Sequence, residues 1–271
     1  MIRRTGSGLS WHVNKMRTTP EEMSLPALEA VSVHKQYPNG VRALNHVNLI
    51  VSAGETLVLI GESGSGKTTL LRMFNRLDEP TSGDIFVDGQ SIREKNPVLL
   101  RRHIGYVPQE GGLLPHWTVE RNIALVPTLL HWDYDRIHSR VTTLLELVNL
   151  DPRTHRVRYP VELSGGQRQR VAFARALAAD PTVILLDEPF GALDALTREE
   201  LQKQFLHLQQ QLNKTMMIVT HDLHEAFLLG NRIAVMKNGR IIQLGAPEEI
   251  RQAPATAYVR ALLHHQVEGN R

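Results

Sequence analysis

The sequence predicts an α/β fold: a parallel central sheet, an antiparallel β segment ahead of it, and a helical segment inserted within it. Three observations carry this. The runs TLVLI (56–60), TVILLD (182–187) and TMMIVT (215–220) are short, strongly apolar and rich in β-branched residues, as strands buried on both faces are. Helical patterns fall between and beside them, with Leu201, Phe205, Leu208 and Leu212 forming one apolar stripe and Ile137, Val141, Leu144, Leu145 and Val148 another. Buried strands that alternate with amphipathic helices pack as helices over a parallel sheet.

The elements follow in order. Residues 1–26 mix Gly, Ser, Thr, Pro and charge without apolar periodicity, which predicts a flexible arm. No apolar stretch follows Arg3 and Arg4, so a signal peptide is not expected. Residues 28–33 and 47–51 alternate like half-buried strands, and the turn YPNG (37–40) between them predicts an antiparallel pairing. Near the other end, Lys237-Asn238-Gly239-Arg240 separates IAVM from IIQL and predicts a type I′ hairpin.

Composition narrows the function. The chain of 271 residues is 42% hydrophobic and 22% charged, which fits a folded globular protein. It has no cysteine, which excludes a disulfide scaffold, a thiolate metal site and a cysteine nucleophile. No apolar run approaches the roughly 18 residues of a membrane span. The net charge is +3, but residues 1–19 hold four basic residues and no acid. The rest is near neutral, so nucleic acid is not an expected partner.

Residues 61–68, Gly61-Glu62-Ser63-Gly64-Ser65-Gly66-Lys67-Thr68, satisfy G-x-x-x-x-G-K-[ST] between a buried strand and a helical pattern opening at Thr69. Glycines let the backbone wrap phosphate closely, and the new helix adds its N-terminal amides and dipole. Lys67 is expected to reach the β- and γ-phosphates of ATP, and the Thr68 hydroxyl to hold Mg²⁺. A dinucleotide fold is disfavoured, because Gly64-Ser65-Gly66 is followed by Lys67-Thr68-Thr69. VILLDEP (183–189) then ends a buried strand in two acids. Neighbours on a strand point oppositely, so Asp187 is assigned to the metal and Glu188 to the attacking water.

LSGGQRQR (163–170) ahead of VILLDEP resembles the signature of the ATP-binding cassette (ABC) ATPases. Other motifs of that family stand in order. Tyr37, 24 residues before Gly61, resembles the aromatic residue that stacks on adenine. Gln109 in IGYVPQ resembles the Q-loop glutamine, which the resemblance places on the nucleotide and its metal. GALDAL (191–196) resembles the D-loop, with Asp194 its acid. His221, 33 residues beyond Glu188, resembles the switch histidine that contacts the γ-phosphate. On the residues alone Gln109 is a polar residue at a strand end and His221 a surface histidine; their roles come from the resemblance.

The resemblance covers residues 27–264 and implies a P-loop ATPase core with an antiparallel β subdomain and a helical subdomain at about 98–165, leaving 265–271 as a tail. Ser164-Gly165-Gly166-Gln167 opens a helix and offers a second anion-binding terminus. In the family it meets the ATP held by a second copy, in a head-to-tail dimer. Family members that work outside transport carry a long coiled-coil insertion or two cassettes, whereas only 55 residues separate Gln109 from Ser164 here. The resemblance therefore implies a transporter subunit, peripheral on the cytoplasmic face of the membrane, with integral permease partners and, indirectly, a solute-binding protein.

Within transporters, RLDEPTSG (76–83), RRHIGYVPQ (101–109) and PHWT (115–118) look like the importers of glycine betaine, carnitine or choline. An importer for a polar amino acid or a sulfonate is the alternative, and a soluble ABC ATPase outside transport a more distant one. Glu62 stands where the family often has proline, and Gly111-Gly112 and Trp117 vary the segment after Gln109. Leu113, Leu114 and Trp117 are expected to be exposed there for a partner. Many such relatives add a C-terminal pair of regulatory CBS domains; this chain stops at Arg271, so regulation by them is not expected.

Overall fold

The computed structural model describes residues 25–191 and 193–269; residues 1–24 of the expected arm and the last two residues of the expected tail lie outside the described residues. The strands are β1 (Leu28–Gln36), β2 (Arg42–Val51), β3 (Thr56–Ile60), β4 (Ser82–Val87), β5 (Gln90–Ser91), β6 (Ile104–Val107), β7 (Val183–Asp187), β8 (Thr215–Thr220), β9 (Arg232–Lys237) and β10 (Arg240–Gly245). The helices are α1 (Lys67–Phe74), α2 (Pro97–His103), α3 (Val119–Ile123), α4 (Leu125–Leu129), α5 (Tyr134–Leu147), α6 (Pro152–His155), α7 (Gly165–Leu177), α8 (Ala195–Leu212), α9 (Leu223–Leu229), α10 (Pro247–Gln252) and α11 (Ala257–Gly269).

One sheet is antiparallel, in the order β2-β1-β4-β5; the other has the order β10-β9-β3-β8-β7-β6. In the second, β9, β3, β8, β7 and β6 run parallel and β10 closes one edge antiparallel. The three apolar runs are its centre, and every residue of β3, β7 and β8 is buried. Their alternation divides the interior into two cores. Val58 and Ile60 of β3 face one core, with Ile184, Leu186, Met216 and Ile218. Leu57 and Leu59 face the other, with Val183, Leu185, Met217 and Val219. The first core takes α5, α7, α8 and α9, and the second lies between the sheets with α1. Each such side chain contributes about 1.5–3 kcal/mol on burial, so both faces of β3 must be covered for it to persist.

The hairpin is as expected. Asn238 (φ +48) and Gly239 (φ +73) are both left-handed between β9 and β10, as a type I′ turn requires. Three expectations are corrected. Residues 104–107 pair in parallel with Val183–Leu186, so the helical insertion expected from about 98 begins after Val107. Leu100 of α2 likewise packs into the core between the sheets. Leu113, Leu114 and Trp117 are half-buried, not exposed. Leu113 packs on the helical core, and the buried Asn122 side chain bonds the Leu114 amide and carbonyl and the Trp117 carbonyl, pulling the segment inward. The last helix continues to Gly269, past the boundary expected at 264.

Candidate functional site

The loop 61–66 leaves β3 at the carboxyl edge of the parallel sheet and delivers the chain into α1. Gly61 sits at φ +153, and a β-carbon there would lie 2.2 Å from the Met236 carbonyl of β9, so no other residue fits. Ser65 is held from both sides: its amide donates to the Glu62 carbonyl and its carbonyl accepts from the Gly239 amide at 3.0 Å. The hairpin turn thus braces the loop. Lys67 is buried, and its Nζ donates to the Gly61 and Glu62 carbonyls at 2.7 and 2.9 Å. Burial pushes its amine below the usual lysine range, against the pull of Glu188 and Asp187. Glu62, Ser63 and Gly64 are exposed on the outer rim. The Glu62 side chain stays outside, and its amide donates to the Tyr258 hydroxyl of α11 at 3.3 Å. The Lys237 ammonium lies 4.0 Å over that Tyr258 ring.

Asp187 and Glu188 part company as strand geometry predicts. The Asp187 carboxylate is buried; Oδ1 accepts from the Thr68 hydroxyl at 2.7 Å, while Oδ2 is buried with no hydrogen-bond partner. Arg72, one turn along α1 from Thr68, approaches Oδ2 at 3.5 Å but is itself 45% exposed. Burial pushes the Asp187 carboxyl up, and outweighs the Thr68 bond and the Arg72 charge. A native carboxyl that is raised contributes stability below its unfolded pKa and loses it as pH climbs through the folded one. Asp187→Asn is therefore expected to melt higher than the wild type at neutral pH, an advantage that shrinks as pH falls into the carboxylate range. Thermal melts across pH read this directly.

A hydroxyl and a carboxylate in contact, with one carboxylate oxygen orphaned, are hard oxygen donors that suit Mg²⁺ bound through few protein ligands. Gln109, which follows β6, donates from Nε2 to Glu188 Oε2 at 3.1 Å. His221 Nδ1 comes within 3.3 Å of the same oxygen. Groups from β6, β7 and β8 thus converge on one carboxylate oxygen at the carboxyl edge, where open α/β sheets bind ligands.

Glu188 itself is left-handed, at φ +48, fixed by its amide on the Val219 carbonyl and its carbonyl under the Gly191 amide. That conformation costs a side-chain-bearing residue about 1–2 kcal/mol. Glu188→Gly is expected to be more stable than Glu188→Ala by about 0.5–1 kcal/mol, after glycine's larger unfolded-state entropy is deducted. Denaturant titration of the two variants gives the ordering; the reverse order rules out backbone strain.

Tyr37 closes the turn after β1 and is pinned by its hydroxyl, which donates to Asp78 Oδ2 at 2.5 Å and lies 3.5 Å from Thr69. Lys35 binds the same Asp78 carboxylate and sits 4.8 Å from the Tyr37 ring centre. Burial pushes Asp78 up, but the Lys35 and Tyr37 bonds prevail and hold it below the usual range. Ser164 caps α7: its hydroxyl accepts from the Gln167 amide and Gln167 Oε1 accepts from the Ser164 amide, a reciprocal box. Gly165 and Gly166 follow, with Gly166 so close to Thr197 and Leu201 of α8 that a β-carbon would lie 2.8 Å from Thr197. Asp194 caps α8 through the Thr197 amide, which holds its carboxyl low. The signature residues therefore stand on the α7–α8 side, with their hydrogen bonds turned inward on their own helix.

Several members of the site were missed in the sequence. Asp78 and Lys35 lie in unremarkable surroundings, and only the structure brings them to Tyr37. Arg175 of α7 donates to the Gly111 and Gly112 carbonyls, both at 2.6 Å, and so ties the segment after Gln109 to the signature helix. These bonds had no signal beyond a basic residue on an apolar helix face.

The ABC transporter family model matches residues 44–191. The chain is 50% identical over 236 residues to the glycine betaine/carnitine/choline transport ATP-binding protein OpuCA of Bacillus subtilis, covering 87% of this chain and 62% of that protein. It is 51% identical over 219 residues to the osmoprotectant import ATP-binding protein OsmV of Salmonella typhimurium, covering 81% of this chain and 57% of the relative. The chain thus spans about three fifths of the length of these curated relatives. Among solved structures it is similar to the dimeric post-hydrolysis state of the ATP-binding cassette MJ0796 bound to ADP and Pi, with a TM-score of 0.73 and 34% identity over 81% of this chain and 98% of that one.

Proposed function

The chain belongs to the ABC transporter family, and from that premise we propose that it is the ATP-binding and hydrolysing subunit of an importer for a quaternary-amine osmoprotectant. The observation that carries the catalytic part is the convergence of Gln109 and His221 on Glu188 Oε2, beside the Thr68–Asp187 pair and the phosphate loop. The similarity to OpuCA and OsmV supports the solute class, since both names state it.

In this reading the amides of residues 61–68 and the Lys67 ammonium grip the β- and γ-phosphates of ATP, and Tyr37 presents its ring to the adenine. Thr68 and Asp187 would hold Mg²⁺, which when bound neutralises charge on the phosphates. Glu188 accepts the proton of the attacking water at Oε2, where Gln109 and His221 orient that oxygen and stabilise the charge that changes there. Ser164, Gly165, Gly166 and Gln167 present the α7 N-terminus to the ATP of a second copy, and Asp194 lies beside them at that junction. The dimeric cassette structure supports this pairing. No helix among the described residues is long and apolar enough to cross a membrane, so in this reading transport needs permease subunits from other chains, with this subunit on their cytoplasmic face.

The test is reconstitution with the membrane partner, measuring ATP turnover against a panel of solute-loaded binding proteins. Glycine betaine, carnitine or choline is expected to stimulate. Stimulation by a sulfonate or a polar amino acid alone would overturn the solute class and leave the ATPase reading standing. Turnover indifferent to any membrane partner would overturn transport.

A further inference from the structure

Glu225 lies on α9, on the face it shares with Leu223, Ala226 and Leu229, and it is 3% exposed. An apolar residue would pack there without cost, whereas a buried carboxyl must be fully hydrogen-bonded to be tolerated. It is. One oxygen accepts from Gln202 Nε2 at 3.0 Å and the other from the Thr220 hydroxyl. Gln202 is itself 3% exposed, about two turns into the helix that Asp194 caps. Thr220 is the last residue of β8, and its hydroxyl also accepts from the Asp222 amide at 3.0 Å. The bond spans His221, so the turn that presents His221 is closed by Thr220, which Glu225 holds, which Gln202 of α8 holds.

We propose that Glu225 is a positioning residue for hydrolysis: it ties the turn carrying His221 to helix α8, so that the imidazole meets Glu188 only while α8 is seated. The inference rests on the reading of His221 given above. Among the described residues the side-chain bonds of Glu225 run to Gln202 and Thr220, and Thr220 meets the strand ahead of the phosphate loop only in the backbone ladder, opposite Ile60, so nucleotide affinity is expected to change little. Burial pushes the Glu225 carboxyl up against the bonds from Thr220 and Gln202, consistent with a group kept for its geometry and not for a surface charge. A buried polar network of this kind specifies one arrangement among several packings of similar energy.

Steady-state ATPase assays on His221→Ala, Glu225→Ala, Glu225→Gln and the double variant His221→Ala/Glu225→Ala make the test, with the melting temperature recorded for each. Glu225→Ala is expected to lower kcat by about 10–100-fold, the usual loss when a supporting partner of a reactive group is removed, and to leave the KM for ATP within about twofold. Glu225→Gln, which keeps an acceptor for Gln202 and a partner for Thr220, is expected to recover most of that loss. The decisive readout is the double variant. If Glu225 acts through His221, it turns over no more slowly than His221→Ala alone. A purely structural role would give multiplied losses and overturn the proposal, as would wild-type kcat in Glu225→Ala beside a crippled His221→Ala. Should Glu225→Ala fail to fold, Gln202→Met cuts the same link from the α8 side and is held to the same outcomes. If His221→Ala keeps full turnover, the reading of the switch histidine falls first and this proposal with it.

Discussion

Glu188→Gln is expected to bind ATP as tightly as the wild type and to hydrolyse it about 10²–10⁴-fold more slowly, the usual worth of a positioned general base. The substitution is nearly isosteric, and the amide can keep a hydrogen bond toward Gln109 or His221, so the geometry at the strand ends survives. What it loses is the capacity to take a proton. The left-handed backbone at 188 is unaffected, since both residues pay the same conformational cost there. Bound nucleotide should therefore accumulate, and in the proposed dimer the closed form should persist with it. Single-turnover hydrolysis separates the chemical step from release, and titration with labelled ATP gives the affinity. Near-normal turnover in this variant removes Glu188 from the mechanism.

Lys67→Ala should fail earlier, at binding. The Lys67 ammonium is buried and has three donors, two of which already go to loop carbonyls. A charge-assisted bond to a buried phosphate is worth about 1.5–3 kcal/mol, so removing the cation should weaken ATP binding by about 10- to 150-fold. The loop should keep its shape, because Gly61, the Ser65 amide and the Gly239 amide fix it without the lysine. Lys67→Arg should not restore affinity, since the guanidinium is too broad for a pocket closed by two carbonyls. Calorimetric titration with ATP decides it, and an affinity equal to the wild type would count against the phosphate loop.

The two predictions fail at different steps because the residues sit on different elements, and those elements were legible in the sequence for physical reasons. The central strands announce themselves because burial on both faces demands continuous apolar runs, and the hairpin because two left-handed residues demand Asn-Gly. The phosphate loop is readable because close wrapping of an anion demands glycines at set intervals before a helix. What the sequence hid are contacts made across long separations. The bond between Gln109 and Glu188 depends on the parallel pairing of β6 with β7, which no local pattern states. The same pairing moved residues 104–107 out of the helical segment. Leu113 and Trp117 looked exposed because the buried Asn122 that draws them in is an ordinary polar residue in the sequence. Glu225 and Gln202 carry no local signal, and only the meeting of α8 with α9 makes them a pair.

The contact between Tyr258 and the Glu62 amide has a mechanical side. The rim of the loop that would grip ATP is moored to the last described helix, which is moored in turn by Val259 in the helical core and by Lys237 against the Tyr258 ring. Torque on α11 is thus delivered one residue from Gly61, and swelling or tightening of the loop is delivered back along the same short lever. The helix is a handle on the loop, attached at Glu62.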